Sequence, residues 1–331
     1  MSRAQAVKLP DGRLHLNHGP IDLIIACDGG DVEVMCAEEK AIARFASILD
    51  ELCAELALLR RPMGELPKGI VAQRMWRAAA PFAADHFITP MAAVAGAVAE
   101  EVLSAMTAAA PLARAMVNNG GDIAIHLAPG QHYRAGLLDR PDRPALFATA
   151  EISAGDHVRG VATSGWRGRS FSLGIADAVT VLARSASVAD AAATLIANAV
   201  DLPGHPAIKR AYAHDLQPDS DLGARLVTTD VGRLTPQDIA TALASGAARA
   251  QAFLDGGLIC ACALHLAGQT RVVATRADGA TIKLDVASSR RQQAAKLPSQ
   301  ERRNLRPSLP QDDAAVIRLQ LRPSVQPETE I

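Results

Sequence analysis

The stretch Thr89-Pro90-Met91-Ala92-Ala93-Val94-Ala95-Gly96-Ala97-Val98 begins an apolar segment that extends to Ala109. Thr89 suits the N-cap of a helix, and Pro90 suits its first position, where the missing amide hydrogen costs nothing. Glu100 and Glu101 interrupt the segment, which is too short and too charged to span a membrane. The stretch therefore predicts a buried, alanine-rich helix at the centre of the fold.

Short strands and further helices are predicted on both sides of this helix. Apolar runs bounded by turn residues predict strands at residues 14–17, 21–27, 32–36, 123–127, 146–152, 157–162, 179–183, 258–266 and 270–275. Helical periodicity predicts helices at residues 38–59, 71–80, 91–109, 189–200 and 236–255. The folded part of the chain is therefore predicted to contain both strands and helices, and the helices are rich in alanine.

The composition excludes several classes of protein. Of the 331 residues, 49% are hydrophobic and only 3% aromatic, and the formal net charge is −1. A chain this neutral lacks the basic surface that nucleic-acid binding needs, and it is too apolar for a disordered protein. We expect no membrane span and no secretory signal at the N-terminus. The five cysteines are an odd number and thinly spread, which favours a cytoplasmic protein.

The chain divides by composition near residue 287. Residues 1–286 are predicted to form the folded domain, and residues 287–331 a basic, proline- and glutamine-rich flexible tail. Residues 314–321 are the part of this tail with enough apolar character to dock as a strand.

Two glycine-containing segments are candidate ligand sites. The turn Asn118-Asn119-Gly120-Gly121-Asp122 lets the backbone approach a ligand closely, and Asp122 can accept a ribose or base hydrogen bond. A plain turn before a strand explains the same residues. In the second segment, Thr163, Ser164 and Gly165 follow a predicted strand. Their hydroxyl groups suit phosphate or ribose oxygens, or the capping of a turn.

A third candidate lies on the predicted helix at residues 189–200. Asp190 and Thr194 are four residues apart and therefore share one helix face. A carboxylate and a hydroxyl group there can hold Mg²⁺, which takes one or two carboxylates and leaves its other positions to water and phosphate. The alternative is that Ser187 and Asp190 form a helix-capping pair.

Taken in order, these three segments resemble the motifs of the ApbE superfamily, whose best-known members are FAD:protein FMN transferases. Residues 87–98 and 174–181 resemble an uncharacterised ApbE-like subfamily more closely, and the resemblance extends over residues 11–275. It implies that Asp190, Thr194 and a backbone carbonyl near Val94 bind Mg²⁺ beside the FAD pyrophosphate. It also implies an α+β fold, in which mixed β-sheets are covered by alanine-rich helices, and a flavin pocket formed by the turn at residues 118–122 and by residues 163–165.

The sequence departs from the transferases in the parts that carry their chemistry. They have a Lys-Gly pair where this chain has Ala95-Gly96, and a His-x-x-Asp-Pro element where it has residues 170–177. Asp177 is the carboxylate that remains near this gap, and it either takes a catalytic or second metal role or caps the following strand. Arg167 and Arg169 suit phosphate or carboxylate recognition, or belong to a solvated loop.

A loop-rich segment farther along the chain contains several titratable residues, which form either a wall of the site or an exposed polar loop. They are His205, His214, Asp215, Asp219 and Asp221.

The resemblance leads us to expect binding of FAD or a related nucleotide with Mg²⁺, with FMN transfer to a hydroxyl group of an acceptor protein as the implied reaction. Three alternatives remain open. They are an enzyme of pterin-linked (tetrahydromethanopterin) one-carbon metabolism, a non-catalytic flavin carrier, and an interaction protein. The partners expected are a nucleotide or flavin cofactor and an acceptor protein, without nucleic acid or membrane, and a homo-oligomer is compatible with the sequence.

Overall fold

A nine-stranded antiparallel sheet lies at the centre of the computed structural model, which describes residues 3–138, 146–274, 282–283 and 316–318. The strands are β1 (Gln5–Lys8), β2 (Leu14–His18), β3 (Ile21–Asp28), β4 (Arg114–Asn119), β5 (Asp122–Leu127), β6 (His132–Leu138), β7 (Leu146–Ser153), β8 (Gly160–Ser164), β9 (Ala178–Ala183), β10 (Ile208–Tyr212), β11 (Leu226–Val231), β12 (Ala261–Leu266), β13 (Gln269–Ala274), β14 (Ile282–Lys283) and β15 (Val316–Arg318). The helices are α1 (Asp31–Ala54), α2 (Leu56–Leu59), α3 (Ile70–Ala79), α4 (Val94–Ala109), α5 (Ala186–Ala199), α6 (Ala213–Leu216) and α7 (Pro236–Asp255). Two 3₁₀ turns, Ala80–Phe82 and Pro90–Ala93, precede α4.

The described strands form three sheets. The large sheet has the order β1-β2-β3-β4-β5-β8-β9-β12-β13, and every neighbouring pair is antiparallel. A second sheet has the order β14-β7-β6-β15, in which β15 runs parallel to β6. The hairpin of β10 and β11 stands apart from both. The α+β prediction is confirmed.

The central strands of the large sheet are buried on both faces, with helices on one side and the second sheet on the other. In β5, Ala124 packs into the helical core, whereas Ile123 and Ile125 pack against β6 and β7. Such strands need apolar residues at successive positions, because their side chains alternate between two buried faces. The small alanines on the helical side allow α4 and α5 to lie close to the sheet.

Helix α4 is the central buried helix that the apolar segment predicts. Its first residues follow the 3₁₀ turn Pro90–Ala93, and the Thr89 hydroxyl group donates to Asp221 instead of capping the turn. Among the described helices, Pro90–Ala109 is the one with the length and mean hydropathy, 1.3, of a membrane span, and half of this stretch is buried inside the protein. Its apolar residues pack against α1, α5 and the large sheet, so its composition is that of a core helix.

One predicted strand is wrong. Residues 32–36 form the first turns of α1, which begins at Asp31. Asp31 and Glu33 lie in the first turn, where negative charge is stabilised by the helix dipole. The buried residues of α1 recur every three or four positions (Ala37, Ala41, Phe45, Ile48 and Leu52), and this period prevails over the short alternation.

The helix predicted at residues 38–59 is divided at Glu55 into α1 and α2. The Glu55 carboxylate accepts hydrogen bonds from the amides of Lys68 and Gly69, both at 2.7 Å, and so ties this break to the beginning of α3.

Two features near the C-terminal end of the described chain were predicted. The capping box at Thr235 and Asp238 begins α7, and β12 and β13 form a hairpin. Of the predicted tail, Val316–Arg318 forms β15, within the segment suggested as a docking strand. Residues 287–315 and 319–331 lie outside the described residues, so the domain boundary stays a prediction.

Candidate functional site

A cavity of about 480 Å³ opens on the helical side of the large sheet. It lies where the β4–β5 turn and the end of β8 meet the N-terminal parts of α4 and α5. One side is apolar, and we call it the apolar wall: Leu49, Leu52, Leu56, Leu59, Met75, Met91, Val94 and Val98. The volume falls within the ~300–1,000 Å³ range of small-molecule sites.

Asp190 reaches this cavity from the second turn of α5. The side chain of Ser185 caps α5 by accepting from the amide of Val188, so Asp190 is not needed as a cap. Its Oδ2 atom instead accepts a hydrogen bond from the amide of Gly96 at 3.0 Å. This contact depends on the glycine, because a Cβ atom at position 96 would lie 2.3 Å from the carbonyl oxygen of Ala186.

Asp122 enters the cavity from the start of β5. The preceding turn needs two residues of positive φ, which Gly120 (67°) and Gly121 (120°) supply. The Asn118 side chain accepts from the Gly121 amide at 2.8 Å and holds this turn. The Oδ1 atom of Asp122 accepts from the amide of Thr163 at 3.2 Å, which joins the turn to β8.

The two carboxyl groups disfavour each other's ionisation. Removal from water raises the pKa of Asp122 to about 7, against the opposing hydrogen bond from Thr163. The pKa of Asp190 is raised well above its usual value, first by removal from water and then by repulsion from Asp122. A bound cation or a proton therefore stabilises this pair.

Two hydroxyl groups and an amide also line the cavity near these carboxyl groups. Thr194 lies one helical turn after Asp190, and Ser164 lies at the end of β8. The Asn119 side chain also faces the cavity and donates to the carbonyl of Ala95 at 3.2 Å. By contrast, the Thr163 hydroxyl group pairs with Thr180 at 2.9 Å.

This donor set fits a hard cation. The polar groups beside Asp190 and Asp122 carry oxygen. The described residues contain no group of three or more His, Cys, Asp or Glu side chains able to hold a metal, so a cation here would need ligands from outside the protein. Mg²⁺ suits a site with one or two carboxylates, because it keeps water and takes the rest of its ligands from substrate phosphate.

Asp177 lies outside the cavity lining, and both its carboxylate oxygens are engaged. Oδ1 accepts from Nε of Arg167 at 2.9 Å, and Oδ2 accepts from the amide of Ala267 at 2.7 Å. Ala267 has a φ of 47° in the β12–β13 turn, so the carboxylate stabilises a strained turn. The Asp177 backbone supports the cavity from behind, since a Cβ at Gly165 would lie 2.5 Å from its carbonyl oxygen. A catalytic role for Asp177 stays a prediction, and its contacts favour a structural role.

The histidine-containing segment contributes little to the cavity. His205 lies 3.5 Å from Asp238, and His214 lies 3.1 Å from the neighbouring Asp215. Gln217 is the residue of this segment that lines the cavity. The alternative of an exposed polar loop therefore describes most of it.

Comparison with known proteins places the chain in a family. The family described as AbpE bacteria matches residues 6–272. The chain belongs to this family. Its resemblance to ApbE proteins is thereby confirmed.

Curated relatives of the chain are archaeal proteins named UPF0280. The protein from Methanopyrus kandleri is 43% identical over 129 residues, which cover 39% of this chain and 48% of the relative. The protein from Methanococcoides burtonii is 36% identical over 134 residues, which cover 38% of this chain and 51% of the relative. The chain spans about half the length of these relatives.

Solved structures of ApbE proteins are more distant. The flavinyl transferase ApbE of Pseudomonas stutzeri, in its apo form, is 13% identical with a TM-score of 0.43, covering 83% of this chain and 96% of its own. A variant of the flavin transferase ApbE of Vibrio cholerae is 11% identical with a TM-score of 0.42, covering 83% of this chain and 98% of its own.

Within this AbpE bacteria protein, several residues predicted from the sequence line the cavity: Val94, Asn119, Gly120, Asp122, Thr163, Ser164, Gly165, Arg169, Asp190 and Thr194. Asn118 and Gly121 shape the turn behind it. The apolar wall was not predicted as part of a site, because its leucines read as one continuous core stripe.

Proposed function

We propose that this protein binds a flavin nucleotide, with FAD as the first candidate, together with Mg²⁺. The observation that carries the proposal is the pairing of Asp122 and Asp190 at a cavity that also has an apolar wall. An enclosed carboxylate pair with raised pKa values gains most from a cation, and a cation in turn attracts phosphate oxygens. Membership of the AbpE bacteria family, on residues 6–272, supports the same assignment.

The Mg²⁺ ligands proposed are Asp190, Thr194 and a backbone carbonyl near Val94. A bound Mg²⁺ would supply charge stabilisation to phosphate oxygens. The protein itself holds the Asp190 carboxylate in place through the Gly96 amide. Asn119, hydrogen-bonded to the Ala95 carbonyl, keeps the first turn of α4 beside the β4–β5 turn.

The apolar wall suits a large ring system. Its eight aliphatic side chains come from four helices and from the turn before α4, and a flat heteroaromatic ring can lie against them without losing hydrogen bonds. The described residues that line the cavity include no aromatic side chain, so contact with the ring would be made by leucine and methionine.

Transfer of FMN to a protein hydroxyl group is proposed to be slow or absent. A hydroxyl nucleophile needs a base within hydrogen-bond reach. The cavity-lining residues in the described part of the chain include neither lysine nor histidine, and position 95 carries alanine. The protein would then act as a binding protein or on another acceptor.

The first test is the identity of the molecule that co-purifies with the full chain, read by absorbance and mass spectrometry. FAD should then be titrated with and without Mg²⁺, and we expect tighter binding with the cation. A co-purifying pterin would favour the pterin-linked enzyme instead. Equal FAD affinity with and without Mg²⁺ would contradict the cation assignment, and no FAD binding would contradict the proposal.

The second test is flavinylation of an acceptor protein carrying a standard target sequence. We expect FAD to bind the wild type with little covalent FMN on the acceptor. Rapid covalent labelling would establish the protein as a transferase.

A further inference from the structure

Two arginines, Arg60 and Arg169, line the cavity at its rim. Arg60 follows the last residue of α2, and Arg169 follows the end of β8 by five residues. Both retain access to solvent, with 32% of the Arg60 side chain exposed. Among the described residues that line the cavity, these two arginines are the ones with a basic side chain.

The Arg169 guanidinium group is held above the glycine turn. It donates to the carbonyl oxygen of Pro20 at 3.0 Å, and its Nη1 atom lies 3.8 Å from the position of a Cβ atom at Gly120. Within the described part of the chain no salt bridge neutralises Arg169. A neutral carbonyl positions the group and leaves its positive charge available.

Arg60 has only a weak partner. Its nearest carboxylate, Asp219, lies 3.6 Å away and is 73% exposed. Such an exposed pair contributes little stability, so an incoming anion can replace it. Arg167 shows the contrast: its Nε atom contacts the enclosed carboxylate of Asp177 at 2.9 Å, and it does not line the cavity.

From this arrangement, and resting on the proposed function, we propose that Arg60 and Arg169 form an anion subsite at the rim that binds a phosphoryl group of the ligand. Two guanidinium groups from different elements supply two positive charges and planar sets of donors. A phosphoryl group can use both of them, and is therefore a better ligand here than a single carboxylate group. This subsite is separate from the cation site proposed at Asp190 and Thr194.

The test compares FAD with riboflavin, which has the same ring but no phosphate. FAD and riboflavin are titrated into wild type, Arg60→Gln and Arg169→Gln, with Arg61→Gln as the control, because Arg61 is exposed and does not line the cavity. We expect each rim variant to weaken FAD binding roughly tenfold, the loss of one charge-assisted contact. Riboflavin binding should be unchanged in all variants, and Arg61→Gln should resemble the wild type.

Two results would overturn the subsite. One is unchanged FAD affinity in both rim variants, and the other is an equal loss for FAD and riboflavin, which would mean that the arginines shape the cavity instead. Melting temperatures of the variants verify that each is folded.

Titration with inorganic pyrophosphate distinguishes a failure of this inference from a failure of the proposed function. If the wild type binds neither FAD nor riboflavin, the proposed function fails while the subsite can still be tested with inorganic pyrophosphate. Weaker pyrophosphate binding in Arg60→Gln and Arg169→Gln than in Arg61→Gln would then support the subsite. Absence of pyrophosphate binding, or equal binding in all variants, would refute it.

Discussion

The Oδ2 atom of Asp190 accepts a hydrogen bond from the backbone amide of Gly96 at 3.0 Å, although 94 residues separate them in the chain. The contact joins the second turn of α5 to the beginning of α4. It places the carboxylate against the positive end of the α4 dipole, which lowers the cost of its ionisation. The candidate cation site therefore depends on how closely these two helices approach.

Asp190→Asn should abolish the dependence of FAD binding on Mg²⁺ while leaving the fold intact. The asparagine oxygen can still accept from the Gly96 amide, and removal of one charge relieves repulsion with Asp122. We expect an affinity loss of more than roughly tenfold in the presence of Mg²⁺. The exposed Asp50→Asn is the matched control, and equal Mg²⁺ dependence in both variants would rule out Asp190 as a ligand.

The cation-free protein should lose stability as the pH rises toward neutrality. The pKa of Asp122 is about 7 in the folded chain, above its usual value of 3.8. A raised pKa means that the contribution to stability is complete below about pH 4 and is lost as the pH rises through about 7. Melting temperatures of wild type and Asp122→Asn should therefore diverge between about pH 4 and pH 7 in cation-free buffer, with a constant difference above that range. Parallel curves would contradict the raised pKa.

Gly96→Ala should destabilise the protein by about 2 kcal/mol or more, because the added methyl group meets the Ala186 backbone, which cannot move alone. Gly155→Ala provides the control, since a Cβ atom there meets nothing within 4 Å and its φ is not positive. Urea unfolding of both variants measures the difference. Equal stabilities would show that α4 and α5 can separate without cost.

Asp177→Ala should lower the free energy of unfolding by about 2 kcal/mol, since it leaves the Ala267 amide and the Arg167 guanidinium without their acceptor. FAD binding should be nearly unchanged, because Asp177 does not line the cavity. Thermal unfolding and FAD titration are the measurements. Unchanged stability combined with loss of any residual FMN transfer would instead favour the catalytic role.

Truncation after Ser288 should leave the large sheet and FAD binding intact. It removes β15, whose three residues pair with β6 in the second sheet, on the opposite side of the large sheet from the cavity. We expect the melting temperature to fall by a few degrees at most. A larger fall, or loss of FAD binding, would show that the segment supports the central fold.

Local signals account for the parts of the fold that the sequence predicted. The capping box at Thr235 and the alternation in β2 and β3 depend on neighbouring residues alone. All three elements, α7, β2 and β3, are present as predicted. The strand predicted at residues 32–36 was wrong because a five-residue alternation is too short to be distinguished from the start of a longer helical period.

The candidate site was predictable only in its motif residues. Asp190 was a candidate because it shares a helix face with Thr194, and Asp122 because it follows a turn with two glycines. Their meeting depends on Gly96 and Gly160, whose missing side chains allow α4 and β8 to approach the backbone at the start of α5. No local sequence pattern predicts such an approach. The apolar wall could not be separated from core, because exposure to a cavity leaves no mark on composition.

The order of the strands in the large sheet has a consequence for folding kinetics. Strand β3 pairs with β4 across all of α1 to α4, with Ile25 opposite Val117, and β5 pairs with β8 across the second sheet. Chains dominated by such distant pairings fold slowly, because long loops must close before contacts compensate. The cavity lies among elements that meet only after these closures, so a newly made chain should acquire the ability to bind its ligand among the last steps of folding.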